Sequence, residues 1–201
     1  MMNTTNLFIE ILIIGLGSFI AVLIFIFAFY PVSYDEVKLF VNDVGNSVLI
    51  SVPFLVYFLG ILFDRIADRI MQRKEARIRE SFYQNPNYPE MANESALRDL
   101  KSSVYYKSST MTSLLEYGRS RLRICRGWIL NSFLIAIGLL LIGLLQGRIT
   151  QISLISTIVI FFILTWLNYW AWKSMAKGEY VKLHYYGSYI KKVNGASDPS
   201  E

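Results

Sequence analysis

Five arginines stand at spacings that place guanidinium groups on shared helix faces, where they could bind an anion. Arg119, Arg123 and Arg126 lie at i, i+4 and i+7, so they share one face of a helix. Arg73 and Arg77 belong to a second run, in which arginine recurs every four residues. Because guanidinium forks match the oxygens of phosphate and carboxylate groups, these five side chains are candidates for binding an anionic ligand such as a nucleotide or an oligonucleotide.

Two interpretations of these arginines remain open. In the first, they anchor helix ends in the headgroups of an anionic inner leaflet, which attracts each cation near the membrane by about 1 kcal/mol, or they pair with neighbouring carboxylates. In the second, they form a binding site, in which Tyr105, Tyr106 and Tyr117 could stack on nucleotide bases. A symmetric homo-oligomer would repeat such a site around its axis.

Polar and small residues also recur inside apolar stretches. Near the N-terminus, Glu10 shares a helical face with Gly17, Ala21 and Ala28. A second stripe lies between residues 153 and 168, where its members fall on one helical face at about 100° per residue. This stripe comprises Ser153, Ser156, Thr157, Ile160, Leu164 and Asn168.

Small residues in a lipid-embedded helix normally mark places where helices pack closely, and that is the first interpretation of both stripes. The alternative is that one of them lines a pore. Glu10 would then form a carboxylate ring at the inner mouth that favours cations, while Ile160 and Leu164 would form a hydrophobic constriction. Ser153, Thr157 and Asn168 would line the rest of the pore.

The residue types of the chain give little support for an enzyme active site, a metal site or a cofactor site. His184 is the one histidine and Cys125 the one cysteine, so no pair of either residue has metal-ligand spacing. No phosphate-binding glycine loop of the G-x-x-x-x-G-K-[ST] type is present, and no aspartate lies inside an apolar stretch. The sequence predicts a protein that is not an enzyme and needs no metal or cofactor.

Four apolar stretches must position these residues. The chain has 201 residues, of which 54% are hydrophobic and 17% charged, whereas soluble domains carry about 25% charged residues. The stretches cover about 9–30, 47–63, 127–146 and 150–172, and about 20 apolar residues are enough to cross a bilayer. The pattern predicts an all-α polytopic membrane protein with four transmembrane helices.

The distribution of basic residues predicts its orientation. Eighteen of the twenty lysines and arginines fall in Asp64–Arg126 or after Trp172. Under the positive-inside rule, both termini are cytoplasmic, and a bacterial inner membrane is the expected location. Spans two and three are expected to continue inward as a basic helical stalk, because Asp64 to about Phe82 contains neither glycine nor proline.

These features divide the chain into four predicted regions. A second cytoplasmic helix, Ser95–Lys107, should be capped by Asn93. The last region, residues 173–201, has two possible interpretations. The first is an amphipathic helix lying in the membrane interface, and the second is a helix that docks a partner. The regions are a first hairpin (1–63), a basic cytoplasmic region (64–126), a second hairpin (127–172) and a cytoplasmic tail (173–201).

Two short runs resemble a pattern seen in small bacterial membrane proteins. They are Leu59–Arg69 (LGILFDRIADR) and Tyr117–Trp128 (YGRSRLRICRGW). The overall arrangement resembles that of membrane effectors and accessory proteins of bacterial anti-phage defence operons. There, a multi-span protein with a basic cytoplasmic part responds to a nucleotide-derived signal. The two runs cover about 23 residues, and the wider likeness is one of architecture.

Two functions compete on this evidence. The first is a homo-oligomeric channel or pore-forming effector, gated through its basic cytoplasmic region by an anionic ligand and acting in antiviral defence. The second is a non-conducting scaffold or sensor that recruits a cytosolic partner protein to the membrane.

Overall fold

Five α-helices make up most of the chain that the structure describes. The computed structural model describes residues 4–30, 34–147 and 152–195. A short 3₁₀ turn, Pro89–Met91, lies between the second and third helices. The helices are α1 (Thr4–Phe29), α2 (Tyr34–Tyr83), α3 (Glu94–Lys107), α4 (Ser109–Leu145) and α5 (Ile152–Gly195). The predicted all-α fold is confirmed.

Four of the helices are long and apolar enough to cross a membrane, by length and composition. These stretches are Leu7–Phe29, Ile50–Tyr83, Ser109–Leu145 and Ile152–Ile190. They correspond in order to the four predicted spans, so the prediction of four transmembrane helices is confirmed at this level. Each of the last three stretches is longer than a bilayer requires, since about 20 residues suffice.

The start of α2 differs from the prediction. The first two predicted spans leave residues 31–46 between them as a loop. Residues 31–33 lie outside the described residues, but from Tyr34 onward this segment belongs to α2, which continues without interruption to Tyr83. The polar composition of this segment suggested a loop, although acidic residues such as Asp35 and Glu36 are favoured in the first turn of a helix. The predicted inner end near Phe82 agrees with the observed end to within one residue.

The C-terminal tail also differs from the prediction. It was expected to form a separate interfacial helix after Trp172, whereas α5 runs unbroken from Ile152 to Gly195. No proline interrupts this stretch. Gly178 and Gly187 lie inside the helix, each at a cost of about 1 kcal/mol relative to alanine, and packing of the surrounding side chains outweighs that cost.

Local capping sets the boundary between α3 and α4. Asn93 is extended and its Oδ1 accepts a hydrogen bond from the Ala96 N–H at 2.8 Å, which confirms the predicted N-cap. Ser108 is also extended, and its Oγ accepts from the Met111 N–H at 3.3 Å. Because Ser108 takes the capping role, α4 begins at Ser109.

The chain divides into two compact units, which are described separately. The apolar unit comprises Asn3–Arg69 and Arg123–Trp170. The polar unit comprises Ile70–Leu122 and Ala171–Glu201. Three helices, α2, α4 and α5, contribute residues to both units.

Glycine allows the backbones of α1 and α2 to meet inside the apolar unit. A Cβ atom added at Gly15 would lie 1.9 Å from the Val56 carbonyl oxygen, and one at Gly60 would lie 2.1 Å from the Ile11 carbonyl oxygen. Neither distance leaves room for a methyl group. This is the close approach through small residues by which helices associate in lipid.

A second buried face of α1 packs on α4. Ala21 and Ala28 are buried on it, and Gly17 lies against the Asn131 side chain. On α4, Gly127 makes room for Ile14 in the same way. The small residues that the sequence placed on one face of the first span therefore lie at helix contacts.

Side chains from all four of its helices fill the core of the polar unit. The amphipathic helix α3 buries positions spaced by three and four residues, and its Leu100 packs against Gly187 of α5. Phe82 of α2 stacks on Tyr180 of α5 with ring centroids 5.1 Å apart. The buried apolar residues include Ile78, Phe82, Met91, Leu97, Leu100, Val104, Leu115, Trp172, Leu183 and Ile190.

The contact between α1 and α2 predicts a strong response to one methyl group. We expect Gly15→Ala to lower the free energy of unfolding by about 1–3 kcal/mol, the usual cost of overpacking, because the new Cβ would overlap the Val56 carbonyl oxygen. Thermal unfolding of the detergent-solubilised protein, followed by circular dichroism, measures this loss.

The matched control is Gly178→Ala. No atom lies within 4 Å of a Cβ added there, and alanine is favoured over glycine inside a helix by up to about 1 kcal/mol. We expect this variant to unfold at the wild-type temperature or above it. Equal unfolding temperatures for the Gly15 variant and the wild type would contradict the close contact.

Candidate functional site

An ion network joins α1, α2 and α4 inside the apolar unit. Arg123 donates from Nη1 to Glu10 Oε2 at 2.8 Å, and its Nε lies 3.8 Å from Asp64 Oδ2. The Glu10 and Asp64 side chains are only 5% and 15% exposed, so water screens these pairs weakly. One turn along α2, Asp68 pairs with Arg126 of α4.

The network occupies two of the arginines predicted to bind an external anion. Three carboxylates of the chain surround Arg123 and Arg126, which corresponds to the ion-pairing interpretation. Oε1 of Glu10 and Oδ1 of Asp64 are buried without a hydrogen-bond donor among the described residues. Arg123 and Arg126 therefore already have carboxylate partners within the chain.

A second polar cluster, which is uncharged, lies in the contact between α1 and α4. Asn131 Nδ2 donates to the Ile14 carbonyl oxygen at 2.8 Å, and Ser18 Oγ lies 3.0 Å from Asn131 Oδ1. Ser18 and Asn131 are fully buried. Neither residue was predicted from the sequence to form a polar contact. An asparagine inside an apolar span nevertheless indicates a helix contact, because lipid offers its amide no alternative partner. The cluster is saturated by these contacts and specifies helix pairing.

The predicted pore stripe lies on the surface of α5. Ile160 and Leu164 are 53% and 37% exposed. Thr157 Oγ1 donates to the Ser153 carbonyl oxygen at 2.8 Å, and Asn168 Nδ2 donates to the Leu164 carbonyl oxygen at 2.8 Å. These polar groups thus satisfy their hydrogen bonds along their own helix. In the most apolar window of this helix, no residue is buried within the described chain.

Glu10 does not belong to the same surface as the α5 stripe. It is buried in the contact of α1 with its neighbours, at 4% exposure, and its charge is paired with Arg123. Within one copy of the chain, the structure therefore does not bring the two groups of predicted pore-lining residues together. On a different side of α5, Phe162 meets Phe133 of α4 edge-on at 6.5 Å.

Arg119 lies in a cavity of the polar unit. The cavity measures about 80 Å³ and receives residues from α2, α3, α4 and α5. Its polar lining carries two acidic and two basic side chains and two tyrosine rings. The polar residues lining it are Glu75, Lys101, Tyr105, Arg119, Glu179 and Tyr180.

Both cations of this cavity stand over aromatic rings. The Arg119 guanidinium carbon lies 5.5 Å from the centroid of the Tyr105 ring, and Lys101 Nζ lies 5.8 Å from the centroid of Tyr180. Cation–π contacts of this kind are worth about 0.5–1 kcal/mol when exposed and more when desolvated. They hold the two cations in place without neutralising their charge.

The surroundings of Lys101 in the cavity favour its neutral amine over the charged ammonium form. Burial lowers the pKa of the Lys101 amine, and the nearby charges of Arg119 and Arg79 lower it further, while Glu75 acts in the opposite direction. Loss of solvation is therefore the main cause of the lowered pKa of Lys101, and the positive charge of Arg119 adds to it.

The remaining candidate arginines, Arg73 and Arg77, are exposed on α2. The sequence analysis missed Lys101, Glu75 and Glu179 as members of a site. No spacing rule could have found them, because they lie on three different helices that converge only in the folded polar unit. Tyr105 was predicted from the sequence as a ring for base stacking, and in the structure it lies beneath the Arg119 guanidinium.

Comparison of the chain with protein-family models, with curated proteins and with solved structures finds no match. Function must therefore be inferred from the geometry. Among the described residues, no group of three or more histidine, cysteine or acidic side chains could hold a metal ion.

The ion network predicts strong coupling between Glu10 and Arg123. We expect Arg123→Gln to cost about 3–5 kcal/mol of unfolding free energy, because it leaves a buried carboxylate without its partner. Adding Glu10→Gln should recover much of this loss, since the uncompensated charge is then removed. Denaturant unfolding of the single and double variants measures the coupling.

The control for this cycle is Arg121→Gln on the same helix. Arg121 is exposed and stacks on the Tyr117 ring at 5.3 Å, so its loss should change the unfolding free energy by no more than about 0.5 kcal/mol. Additive effects of the Glu10 and Arg123 variants would contradict the pairing.

The cavity predicts an unusual titration. We expect the Lys101 amine to lose its proton at a lower pH than a solvated lysine, because burial and the charge of Arg119 both disfavour the ammonium form. Arg119→Gln should shift the pKa of Lys101 upward, since a repelling charge is removed. The pH dependence of acylation at Lys101, read by mass spectrometry with exposed Lys107 as the reference amine, measures both effects. A pKa of Lys101 that Arg119→Gln leaves in place would show that Arg119 does not act on it.

Proposed function

We propose that this protein is a homo-oligomeric membrane channel, gated by an anionic ligand that binds its polar unit. In this proposal the polar unit and both termini lie in the cytoplasm of a bacterium, and the apolar unit spans the inner membrane. The orientation rests on the segregation of lysine and arginine, eighteen of which fall in two segments, since retention of these residues on the cytoplasmic side sets topology.

The observation that carries the proposal is the open face of α5. In the most apolar window of this helix, no residue is buried by the rest of the described chain. The same helix carries Ser153, Thr157 and Asn168 on one stripe with Ile160 and Leu164. A second copy of the chain would cover such a face economically. Around a symmetry axis, the stripe would supply hydroxyl and amide groups on either side of an apolar constriction.

Glu10 is left out of the pore in this proposal. Its carboxylate pairs with Arg123 at 2.8 Å inside the helix contacts of a single chain. Releasing it into a pore would leave a buried guanidinium without its partner, which costs several kcal/mol. A cation-selective ring at Glu10 would therefore require the ion network to open first.

The polar unit supplies the ligand-sensing part of the proposal. It contains the cavity in which Lys101 and Arg119 face two carboxylates, and its α2 surface carries exposed Arg73 and Arg77. The likeness to membrane effectors of anti-phage operons supplies a biological setting, in which a nucleotide-derived signal opens the channel and collapses the membrane gradient.

One observation favours the alternative function, a non-conducting scaffold that recruits a cytosolic partner. Large aromatic side chains are exposed on the polar unit, and Tyr106 is 90% exposed. Tyrosines are enriched in protein interfaces. The exposed tyrosines of the polar unit are Tyr106, Tyr117, Tyr185 and Tyr189.

The channel proposal predicts different effects on conductance for substitutions at two adjacent residues of α5. We expect Leu164→Ser to raise the unitary conductance of the protein in planar bilayers, because a hydroxyl at the constriction admits water. Ile163→Ser is the matched control. Both side chains are exposed aliphatic groups, but they point about 100° apart around the helix, so Ile163 lies off the stripe.

Single-channel recording separates the two functions. Altered conductance in the Leu164 variant with wild-type conductance in the Ile163 variant supports a pore lined by the stripe. Equal effects of both substitutions would show that the stripe does not line the conducting path. Silent bilayers, combined with a stable partner that co-purifies from the native membrane, would leave the scaffold as the function.

A further inference from the structure

We infer that the cavity of the polar unit binds the doubly charged phosphate group of a small phosphate ester, held between Lys101 and Arg119. This inference deepens the proposed function and rests on its ligand-sensing half, because it names the chemical class of the ligand and the residues that receive it. It moves the anion site away from Arg123 and Arg126, which carboxylates of the chain already occupy.

The first argument is the surplus of hydrogen-bond donors around the cavity. Oη of Tyr105 and, close by, Nε of Arg79 and Oη of Tyr83 are buried and have no hydrogen-bond partner among the described residues. Tyr105 lines the cavity, and the other two lie within electrostatic range of the Tyr180 ring on its wall. A buried donor without an acceptor costs about 1–3 kcal/mol. A phosphate group offers only acceptor oxygens, so a phosphate that enters the cavity would supply the acceptor that the Tyr105 hydroxyl lacks.

The second argument is charge. Four cations of the polar unit stand at or beside the cavity, against two carboxylates. Glu179 is paired with Lys182 at 2.9 Å, and Glu75 acts electrostatically on Lys101. Two positive charges therefore remain in excess, and a dianion balances them. The four cations are Lys101, Arg119, Arg79 and Lys182.

Repulsion between the two central cations points the same way. The charge of Arg119 is the largest electrostatic influence that lowers the pKa of Lys101. The aromatic rings beneath both groups keep them in place in spite of this repulsion. An anion between them would convert the repulsion into two charge-assisted hydrogen bonds, which are about twice as strong as neutral ones.

The third argument is size. A cavity of about 80 Å³ accommodates about five to eight water-sized groups, at about 10–15 Å³ for each. A phosphate group with the first atoms of its ester fits this space. Arg119 is also exposed to solvent, so the remainder of a larger ester can extend outward past its side chain.

The phosphate ester could be a free nucleotide or the headgroup of an anionic lipid, and the test separates these sources. Isothermal titration calorimetry on the full chain in detergent would use three probes, namely inorganic phosphate, adenosine monophosphate and dihexanoyl phosphatidate. We expect inorganic phosphate to bind. We expect adenosine monophosphate to bind more weakly as the pH falls through about 6, where the second proton returns to its phosphate ester. Tighter binding of adenosine monophosphate identifies a soluble nucleotide ligand, and tighter binding of the phosphatidate identifies a lipid.

Three variants test the residues that form the site. We expect Arg119→Gln and Lys101→Gln each to weaken phosphate binding by about tenfold or more, because a hydrogen bond to a charged group is worth at least about 1.5 kcal/mol. Tyr105→Phe retains the ring beneath Arg119 and removes only the hydroxyl, so its smaller loss of affinity reports on the unpaired donor. Circular dichroism confirms that each variant is folded.

The matched control is Arg121→Gln. Like Arg119, this arginine is exposed on α4 and stacks on a tyrosine, but it does not line the cavity. Its removal should leave phosphate affinity unchanged. Equal losses for the Arg119 and Arg121 variants, or the absence of binding to all three probes by the wild type, would overturn the inference.

Binding and conduction are measured separately, so the two proposals fail in different ways. A chain that binds phosphate but gives silent bilayers retains this site and loses the channel. A chain that conducts but binds none of the probes retains the channel and loses this site.

Discussion

The apolar unit depends on one constraint, which is that helices surrounded by lipid gain little from burying apolar side chains against one another. Close contact must therefore come from the backbone, and Gly15 and Gly60 supply it by letting α1 and α2 touch. Once these backbones meet, Asn131 can reach the Ile14 carbonyl oxygen from α4. The pairing of Arg123 with Glu10 then closes one end of the same three-helix contact.

The sequence predicted the elements that follow from local rules. Apolar length placed the four membrane-crossing helices, and the capping chemistry of Asn93 placed the start of α3 to within one residue. It failed at the start of α2 and at the tail, where polar composition was taken to mean a loop or a separate helix. Composition reports solvent exposure, and a helix that leaves a membrane can be as polar as a loop.

The candidate site was predictable only in part, for a related reason. Helical periodicity shows which residues share a face, but it does not show which helix covers that face. Arg119 and Arg123 share a predicted face, yet one stacks on Tyr105 and the other pairs with Glu10 and Asp64. Both partners of Arg123 are distant in sequence. Only the folded chain shows which guanidinium is paired with carboxylates and which lines a cavity.

The division of α5 between the two units has a consequence for biosynthesis. Trp172, Leu183 and Ile190 belong to the core of the polar unit, and they are made after the part of α5 that belongs to the apolar unit. α2 and α3 leave the ribosome much earlier, with Leu100 still lacking its Gly187 contact. The polar unit can therefore complete its core only after the whole apolar unit has been synthesised. A chain that stalls before Trp172 would leave the apolar faces of α2 and α3 uncovered and open to chaperones and proteases.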